Sequence, residues 1–219
     1  MKPSESPTFC PLMWLGANHW NSGVFAPCCQ YQPDKEKAKW SNDFEDRPYK
    51  TERKMLAEGL RPNACRTCWI NEDRGAFSLR NEALKLDWWK PYVDVIDQNT
   101  GTDGTFVHQP IYFDLRLGTK CNLACRMCSP ISSSLIEKEI EDNFSVFREY
   151  GFQMEDYETA KKFTTTEQHI DRVFDYIQTI DKPIRLKFTG GEPFLNERIP
   201  GFIDNLIDSG KAKNIYILF

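Results

Sequence analysis

The sequence lacks the features typical of membrane-spanning, secreted and nucleic-acid-binding chains. It has no run of about 18 apolar residues, the length that a membrane-spanning helix needs. Residues 1–7 lack the apolar segment of a signal peptide. The 28 basic and 32 acidic residues give a formal net charge of −4, so no overall basic field attracts nucleic acid. We therefore expect a cytoplasmic globular protein without a membrane partner, and a nucleic-acid partner is unsupported.

Histidine is scarce, whereas cysteine is not. His19, His108 and His169 have no partners at the spacing of a metal site or a catalytic triad, so we expect them to be surface or packing residues. The chain has eight cysteines, several of them in clusters. In a chain without a secretion signal, clustered cysteines are more typical of metal ligation than of disulfides.

Three cysteines lie in one short loop after a predicted strand. Cys121, Cys125 and Cys128 follow one another at offsets of four and three residues. Thiolates select zinc, Cu(I) or an iron–sulfur cluster, and tetrahedral zinc would need a fourth protein ligand close by. No fourth cysteine or histidine follows in this loop. A cubane cluster held by three cysteines leaves one iron open to another ligand. The pattern favours such a cluster, and a zinc knuckle completed by His108 or His169 is the alternative.

A glycine-rich turn follows the next predicted strand, Ile184 to Phe188. Gly190 and Gly191 allow the backbone to approach a ligand closely because they have no Cβ. Glu192 can accept hydrogen bonds from an ammonium group, and Pro193 fixes the direction in which the chain leaves. Alone, the motif is typical of an ordinary strand-to-helix turn.

Together, the CxxxCxxC loop and the GGEP turn resemble the two motifs of the radical S-adenosylmethionine (radical SAM) superfamily. The resemblance implies a [4Fe-4S] cluster on the three loop cysteines, with S-adenosylmethionine chelating the open iron. One electron would cleave the sulfonium to a 5′-deoxyadenosyl radical that abstracts hydrogen from substrate. The resemblance also implies that residues 190–193 contact the methionyl group, that Met127 contacts the adenine, and that flavodoxin or ferredoxin donates the electron. The family often has an aromatic residue where this chain has Met127.

Strand and helix patterns alternate regularly from Pro110 onward. Strands are predicted over 111–117, 184–188 and 214–219, and the helical patterns include 135–147, 170–177 and 199–207. This order predicts an α/β fold of parallel βαβ units in residues 110–219. The resemblance implies a (β/α)6 barrel, of which the first three strands are present. Because the sequence stops in an apolar strand, we expect a truncated or split enzyme whose barrel a second chain could complete.

The sequence of residues 1–109 predicts a small, irregular, cysteine-rich α+β domain with a linker. A hairpin with its turn at 21–23 is expected first. A helix is predicted from Tyr49 to Glu58, ended by Gly59, and another from Arg66 to Leu86. Residues 87–109 predict a linker.

The cysteines of this first domain suggest a second metal site. The spacing of Cys10, Gly23 and Cys28 resembles the opening of twitch/SPASM domains, which carry auxiliary iron–sulfur clusters. That resemblance implies a closed four-cysteine site completed by Cys65 and Cys68, suited to electron transfer or structure, with Cys29 as a spare. In those relatives the auxiliary domain follows the barrel, whereas here it precedes it. A structural zinc on the same four cysteines is the alternative.

Two classes of function follow from these motifs. The first is a radical SAM enzyme or its N-terminal portion, and relatives with auxiliary domains point to a peptide or protein substrate. The second is a non-catalytic metal-binding module, either zinc-stabilised or an iron–sulfur electron carrier. A chain that lacks the later strands could also bind the cofactor without completing a reaction.

Overall fold

The chain contains both helices and strands in this computed structural model, which describes residues 2–19, 25–33, 48–151 and 167–219. Residues 167–169 are described by their backbone alone. The chain is α/β, as predicted, and it divides into two compact units. The first comprises Met1–Asn18 and Phe25–Tyr112, and the second comprises His19–Val24 and Phe113–Phe219. The predicted boundary between the two domains lies between residues 109 and 110.

The first unit is built mainly of short helices. Its two short strands, β1 (Gly16–His19) and β2 (Phe25–Ala26), are hydrogen-bonded neighbours, and the predicted turn at 21–23 between them lies outside the described residues. The helices are α1 (Pro11–Leu15), α2 (Lys50–Ala57), α3 (Arg66–Asp73), α4 (Leu79–Lys85) and α5 (Val93–Asn99). Glycine ends α2 as predicted, because Gly59 adopts a φ of 80° that favours glycine.

The predicted single helix from Arg66 to Leu86 is wrong, because the chain breaks it into α3 and α4. Gly75 adopts a left-handed φ of 67° after α3. The buried Ser78 then caps α4 by accepting a hydrogen bond from the Asn81 backbone N–H at 3.0 Å. A glycine and a serine three residues apart therefore mark one helix end and one helix start.

The predicted linker over 87–109 is also wrong, because this segment folds against the first unit's core. It forms a 3-10 helix over Asp87–Tyr92 and then α5, whose Ile96 is fully buried. The Trp14 indole N–H donates to Thr100 Oγ1 at 2.9 Å. Most of the charged residues that suggest a linker are exposed, whereas Tyr92, Ile96 and Phe106 are buried.

The second unit contains the strands that carry both sequence motifs. Its elements are β3 (Tyr112–Arg116), α6 (Ser134–Asp142), α7 (Phe144–Glu149), α8 (Glu167–Thr179), β4 (Ile184–Thr189), α9 (Arg198–Asp208) and β5 (Ile215–Leu218). Strands β3, β4 and β5 are adjacent in that order. Strand β5 is parallel to β4, and Ile184 pairs with Ile215. The three predicted strands are thereby confirmed to within two residues at each end.

Alternation along β4 separates an apolar face from a polar one. Ile184, Leu186 and Phe188 are buried, and the intervening residues are partly exposed. Helices α8 and α9 contribute the stacked rings of Phe174 and Phe202, whose centroids are 3.9 Å apart. This apolar layer fixes β4, and therefore the glycine turn that follows it.

No helix among the described residues is both long enough and apolar enough to cross a membrane.

Shortening a core side chain of β4 should destabilise the second unit. Leu186 is fully buried, so we expect Leu186→Ala to lower the free energy of unfolding by about 2–5 kcal/mol, since it removes buried methyl groups and leaves a cavity. Ile207→Ala is the control, because Ile207 is 57% exposed on α9 and should change stability by about 0.5 kcal/mol or less. Urea unfolding followed by circular dichroism measures both values. Equal losses for the two variants would contradict the core assignment.

Candidate metal centres

The three loop cysteines lie between the end of β3 and the start of α6. Cys121 and Cys128 are half-buried and Cys125 is exposed. The Cys128 N–H donates to the Cys125 carbonyl oxygen at 2.9 Å, so these two residues share one tight turn. The Leu123 N–H donates to Cys121 Sγ at 3.4 Å, a second backbone contact within the loop. The structure thus keeps all three thiols on one short loop.

Two serines tie this loop to the start of α6. Ser134 Oγ accepts a hydrogen bond from the Cys121 N–H at 3.1 Å, and the Ser134 N–H donates to the Thr119 carbonyl at 2.7 Å. Ser133 is fully buried and caps α6, and its hydroxyl also donates to the Leu123 carbonyl at 3.3 Å. A cap among Ser132–Ser134 was predicted, but the bonds to the cysteine loop were not.

The glycine turn contacts this loop directly, backbone against backbone. The Gly191 N–H donates to the Gly118 carbonyl at 3.1 Å, and the Glu192 N–H donates to the Lys120 carbonyl at 2.9 Å. A Cβ at Gly191 would lie 2.2 Å from the Lys120 oxygen. Gly190 has a φ of 118° and a similarly close approach to Gly118. Glycine is therefore required here by the contact between the two motifs, in addition to any approach to a ligand.

A cavity of about 490 Å³ opens beside the glycine turn. Gly191, Glu192 and Pro193 line it, and none of the three loop cysteines does. The other lining residues are Leu117, Gly118, Lys120, Ile170, Thr189, Leu195, Asn196, Glu197, Arg198 and Ile199. Glu192 Oε1 accepts a hydrogen bond from the Phe194 N–H at 3.1 Å, which fixes the orientation of this carboxylate. Met127 is 96% exposed, so its predicted contact with an adenine remains a prediction.

Four cysteines of the first unit converge on a second, enclosed cavity. Cys10, Cys28, Cys65 and Cys68 all line it, and Cys29 does not. These four residues come from segments as far apart in sequence as residues 10 and 68, so the fold brings them together. Leu12, Met13, Pro27, Gln30, Tyr31, Trp69, Leu79 and Arg80 complete the lining.

Of these four residues, Cys68 is buried and the other three are half-buried, and the surrounding protein atoms favour the neutral thiols. Burial raises the pKa of Cys10 to about 12, and the nearby Cys68 adds to the shift. Burial likewise raises the pKa of Cys28, Cys65 and Cys68, with neighbouring cysteines as the next cause for Cys28 and Cys65. A metal that binds here must therefore displace protons from the thiols.

An ion pair that the sequence does not reveal borders this cavity. Arg80 donates to the Glu72 carboxylate through Nε at 3.0 Å and Nη2 at 2.6 Å, and both side chains are nearly buried. Arg80 Nη1 also donates to the Phe9 carbonyl at 3.0 Å. Burial alone would raise the pKa of Glu72, but the bonds from Arg80 and Ser78 outweigh it and hold that pKa below its usual value. Because the two residues flank the break between α3 and α4, no helical spacing pattern indicates the pair.

Neither thiol group is arranged around a single metal ion. Among the described residues, no set of three or more His, Cys, Asp or Glu side chains could hold a metal ion as placed. The cavity that the four cysteines line has a volume of about 20 Å³. Four thiols are nevertheless the donor set of an iron–sulfur cluster or of structural zinc.

His19 and His108 do not join either group of cysteines. His19 is buried and its Nδ1 lies 3.1 Å from the Arg116 carbonyl. His108 Nδ1 lies 2.6 Å from the Gln109 carbonyl, and the ring stacks on Phe106. Both are packing residues, as predicted, and the His169 side chain lies outside the described residues.

The chain matches no protein-family model, no curated protein and no solved structure.

A side chain at Gly191 should separate the two motif loops. Gly191→Ala places a Cβ against the Lys120 carbonyl, so we expect a loss of about 1–3 kcal/mol of stability from overpacking. Gly201→Ala is the matched control, because a Cβ at Gly201 on α9 meets no atom within 4 Å. That control should gain about 0.5–1 kcal/mol through helix propensity. Thermal unfolding measures both changes, and a neutral Gly191→Ala would show that the loops do not touch.

The buried thiols should react slowly in the metal-free chain. At pH 8, Cys10, Cys28 and Cys65 are protonated because their pKa values are raised, and only the thiolate attacks iodoacetamide. We expect the exposed Cys125 to be alkylated first. The raised pKa values also predict stability that is intact below about pH 9 and declines as the pH rises further. Mass spectrometry of chelator-treated protein measures the order in which the cysteines are alkylated, and unfolding the chain in urea should abolish this order. Equal rates in the folded chain would contradict burial of the four-cysteine group.

Proposed function

We propose that the chain is a radical SAM enzyme with an auxiliary iron–sulfur site in its first unit. The observation that supports this most directly is the backbone contact between the CxxxCxxC loop and the GGEP turn, which puts the two motifs side by side. The resemblance requires that adjacency, because both motifs would contact the same cofactor. Strands β3, β4 and β5 would then be the first three strands of a (β/α)6 barrel.

The residues present fit a three-thiolate cluster site and a site for the methionyl group of S-adenosylmethionine. Cys121, Cys125 and Cys128 would hold the [4Fe-4S] cluster and leave one iron open. The Gly190–Gly191 turn packs against the cysteine loop and borders the cavity, where Glu192 would accept hydrogen bonds from the cofactor's amino group. Met127 would pack on the adenine by moving from its exposed position.

The bound cluster and S-adenosylmethionine would supply reductive cleavage to a 5′-deoxyadenosyl radical. The chain's own residues would orient the methionyl end through the backbone of the glycine turn and keep the loop in place through Ser133 and Ser134. A flavodoxin or ferredoxin would donate the electron in the cytoplasm. We propose a peptide or protein as substrate.

In the first unit, Cys10, Cys28, Cys65 and Cys68 would hold a second cluster for electron transfer. All four ligands come from protein, so this site would have no open position for a substrate. The second candidate function is a metal-binding module without catalytic activity, and the convergence of four cysteines favours it because four thiolates complete a tetrahedral zinc site.

Cofactor cleavage by the reconstituted chain tests the proposal. Anaerobic loading with iron and sulfide should give about eight irons per chain if both sites hold cubanes. Adding S-adenosylmethionine and dithionite should then release 5′-deoxyadenosine, measured by chromatography. Cys125→Ala should lose about four irons and all cleavage, since Cys125 is exposed and its loss does not disturb a core. A loaded chain that neither binds nor cleaves the cofactor refutes the enzymatic proposal.

The pair Cys28 and Cys29 provides a control for the auxiliary site. Cys28→Ala should lose about four further irons because its thiol lines the cavity, and Cys29→Ala should lose none. Stoichiometric zinc in place of iron, with no effect of S-adenosylmethionine, would favour the metal-binding module instead.

A further inference from the structure

The face of the second unit's sheet opposite the apolar layer is polar and carries a positive charge. We call it the basic face and define it by Asp114 and Arg116 of β3, Arg185, Lys187 and Thr189 of β4, and Tyr216 of β5. Alternation along each strand puts these residues on one side. Three basic residues and one acidic residue give it a formal charge of +2.

The single acid on this face is already engaged. Asp114 is buried, its Oδ1 accepts the Thr189 hydroxyl at 2.7 Å, and its Oδ2 lies 3.3 Å from Lys187 Nζ. The Lys187 side chain nevertheless remains 36% exposed, so its ammonium has donors left for a second acceptor. Asp114 therefore fixes the position of Lys187 without covering it.

The Arg185 guanidinium is held against an aromatic ring. Its guanidinium lies over the Tyr216 ring at 4.0 Å, and the two residues are paired in the β4–β5 register. Its Nε is buried, and within the described part of the chain it has no hydrogen-bond partner. Tyr216 is half exposed, so this stack is open to solvent on one side. A planar guanidinium fixed in this way matches the geometry of a carboxylate.

We propose that the basic face binds an extended acidic peptide, with one carboxylate on Arg185 and a second on Lys187. The two residues lie two positions apart on one strand, which is about 6.6 Å. Alternate side chains of an extended peptide have the same spacing, so Glu or Asp at positions i and i+2 would meet both cations. Thr189, on the same face, also lines the cavity beside Glu192. A peptide on this face would thus lead toward the glycine turn.

This inference rests on the proposed function only for the peptide class of the substrate. The charges, the stack and the spacing belong to the chain whether or not it cleaves S-adenosylmethionine. Its test is therefore a binding measurement that needs no reductant and no S-adenosylmethionine.

The probe is a fluorescein-labelled peptide with Glu at alternate positions, and its anisotropy is titrated with the full chain at about 50 mM salt. Arg185→Gln and Lys187→Gln should each weaken binding about tenfold, because each removes a charged hydrogen bond. Arg185→Lys should recover only part of the loss, because it keeps the charge and not the planar fork. The matched peptide with Gln in place of Glu should not bind.

Two variants control for charge alone. Arg148→Gln and Lys138→Gln make the same side-chain changes on exposed helix positions of the second unit and should leave binding unchanged. If they weaken binding as much as the strand variants, the attraction is nonspecific and the inference fails. If inorganic phosphate at equal concentration displaces the peptide completely, the face recognises phosphate and the peptide assignment is overturned. Thermal unfolding checks that each variant is folded. Lys187→Gln tests the basic face without disturbing the Arg185–Tyr216 stack.

Discussion

The close contact between two backbones, at the ends of β3 and β4, is the constraint on which the second unit's site depends. Two peptide N–H groups of the glycine turn bond to carbonyls of the cysteine loop, and a Cβ at Gly191 has no room. This contact lines up two motifs that lie about 65 residues apart in sequence. The buried side chains of Leu186 and its neighbours hold the apolar side of β4 in place. The position of the glycine turn therefore depends on the packing of the core.

The first unit brings four thiols together around a small, largely apolar cavity. Burial raises the pKa of these thiols and keeps them protonated, so the metal that we propose for this site would have to displace the protons. The Glu72–Arg80 pair beside them is nearly buried, and its satisfied hydrogen bonds offset the cost of removing two charges from water. A break between α3 and α4 makes this possible, because it brings Arg80 back beside α3.

The two faces of the second unit's sheet have separate roles in this account. The apolar face supplies the stability that fixes the loops, and the basic face carries the charges to which we assign peptide binding. Thr189 donates a hydrogen bond to Asp114 on the basic face. The same residue also lines the cavity next to the glycine turn. One strand of six residues thereby contributes to the core, to the proposed substrate contact and to the proposed cofactor turn.

The sequence by itself determined the local features of this protein. The alternation in β4, the glycine that ends α2, the serine cap of α6 and the motif spacings all depend on neighbouring residues, so short patterns predict them. The continuous helix over 66–86 and the linker over 87–109 were predicted wrongly. A left-handed Gly75 ends the first helix, and tertiary packing buries Ile96, so both effects override the local pattern. Only the tertiary structure decided that four cysteines meet in one cavity, that Arg80 lies beside them, and that Gly191 touches Lys120. Those contacts join residues far apart in sequence, and they form because burying apolar surface stabilises one particular arrangement of the chain.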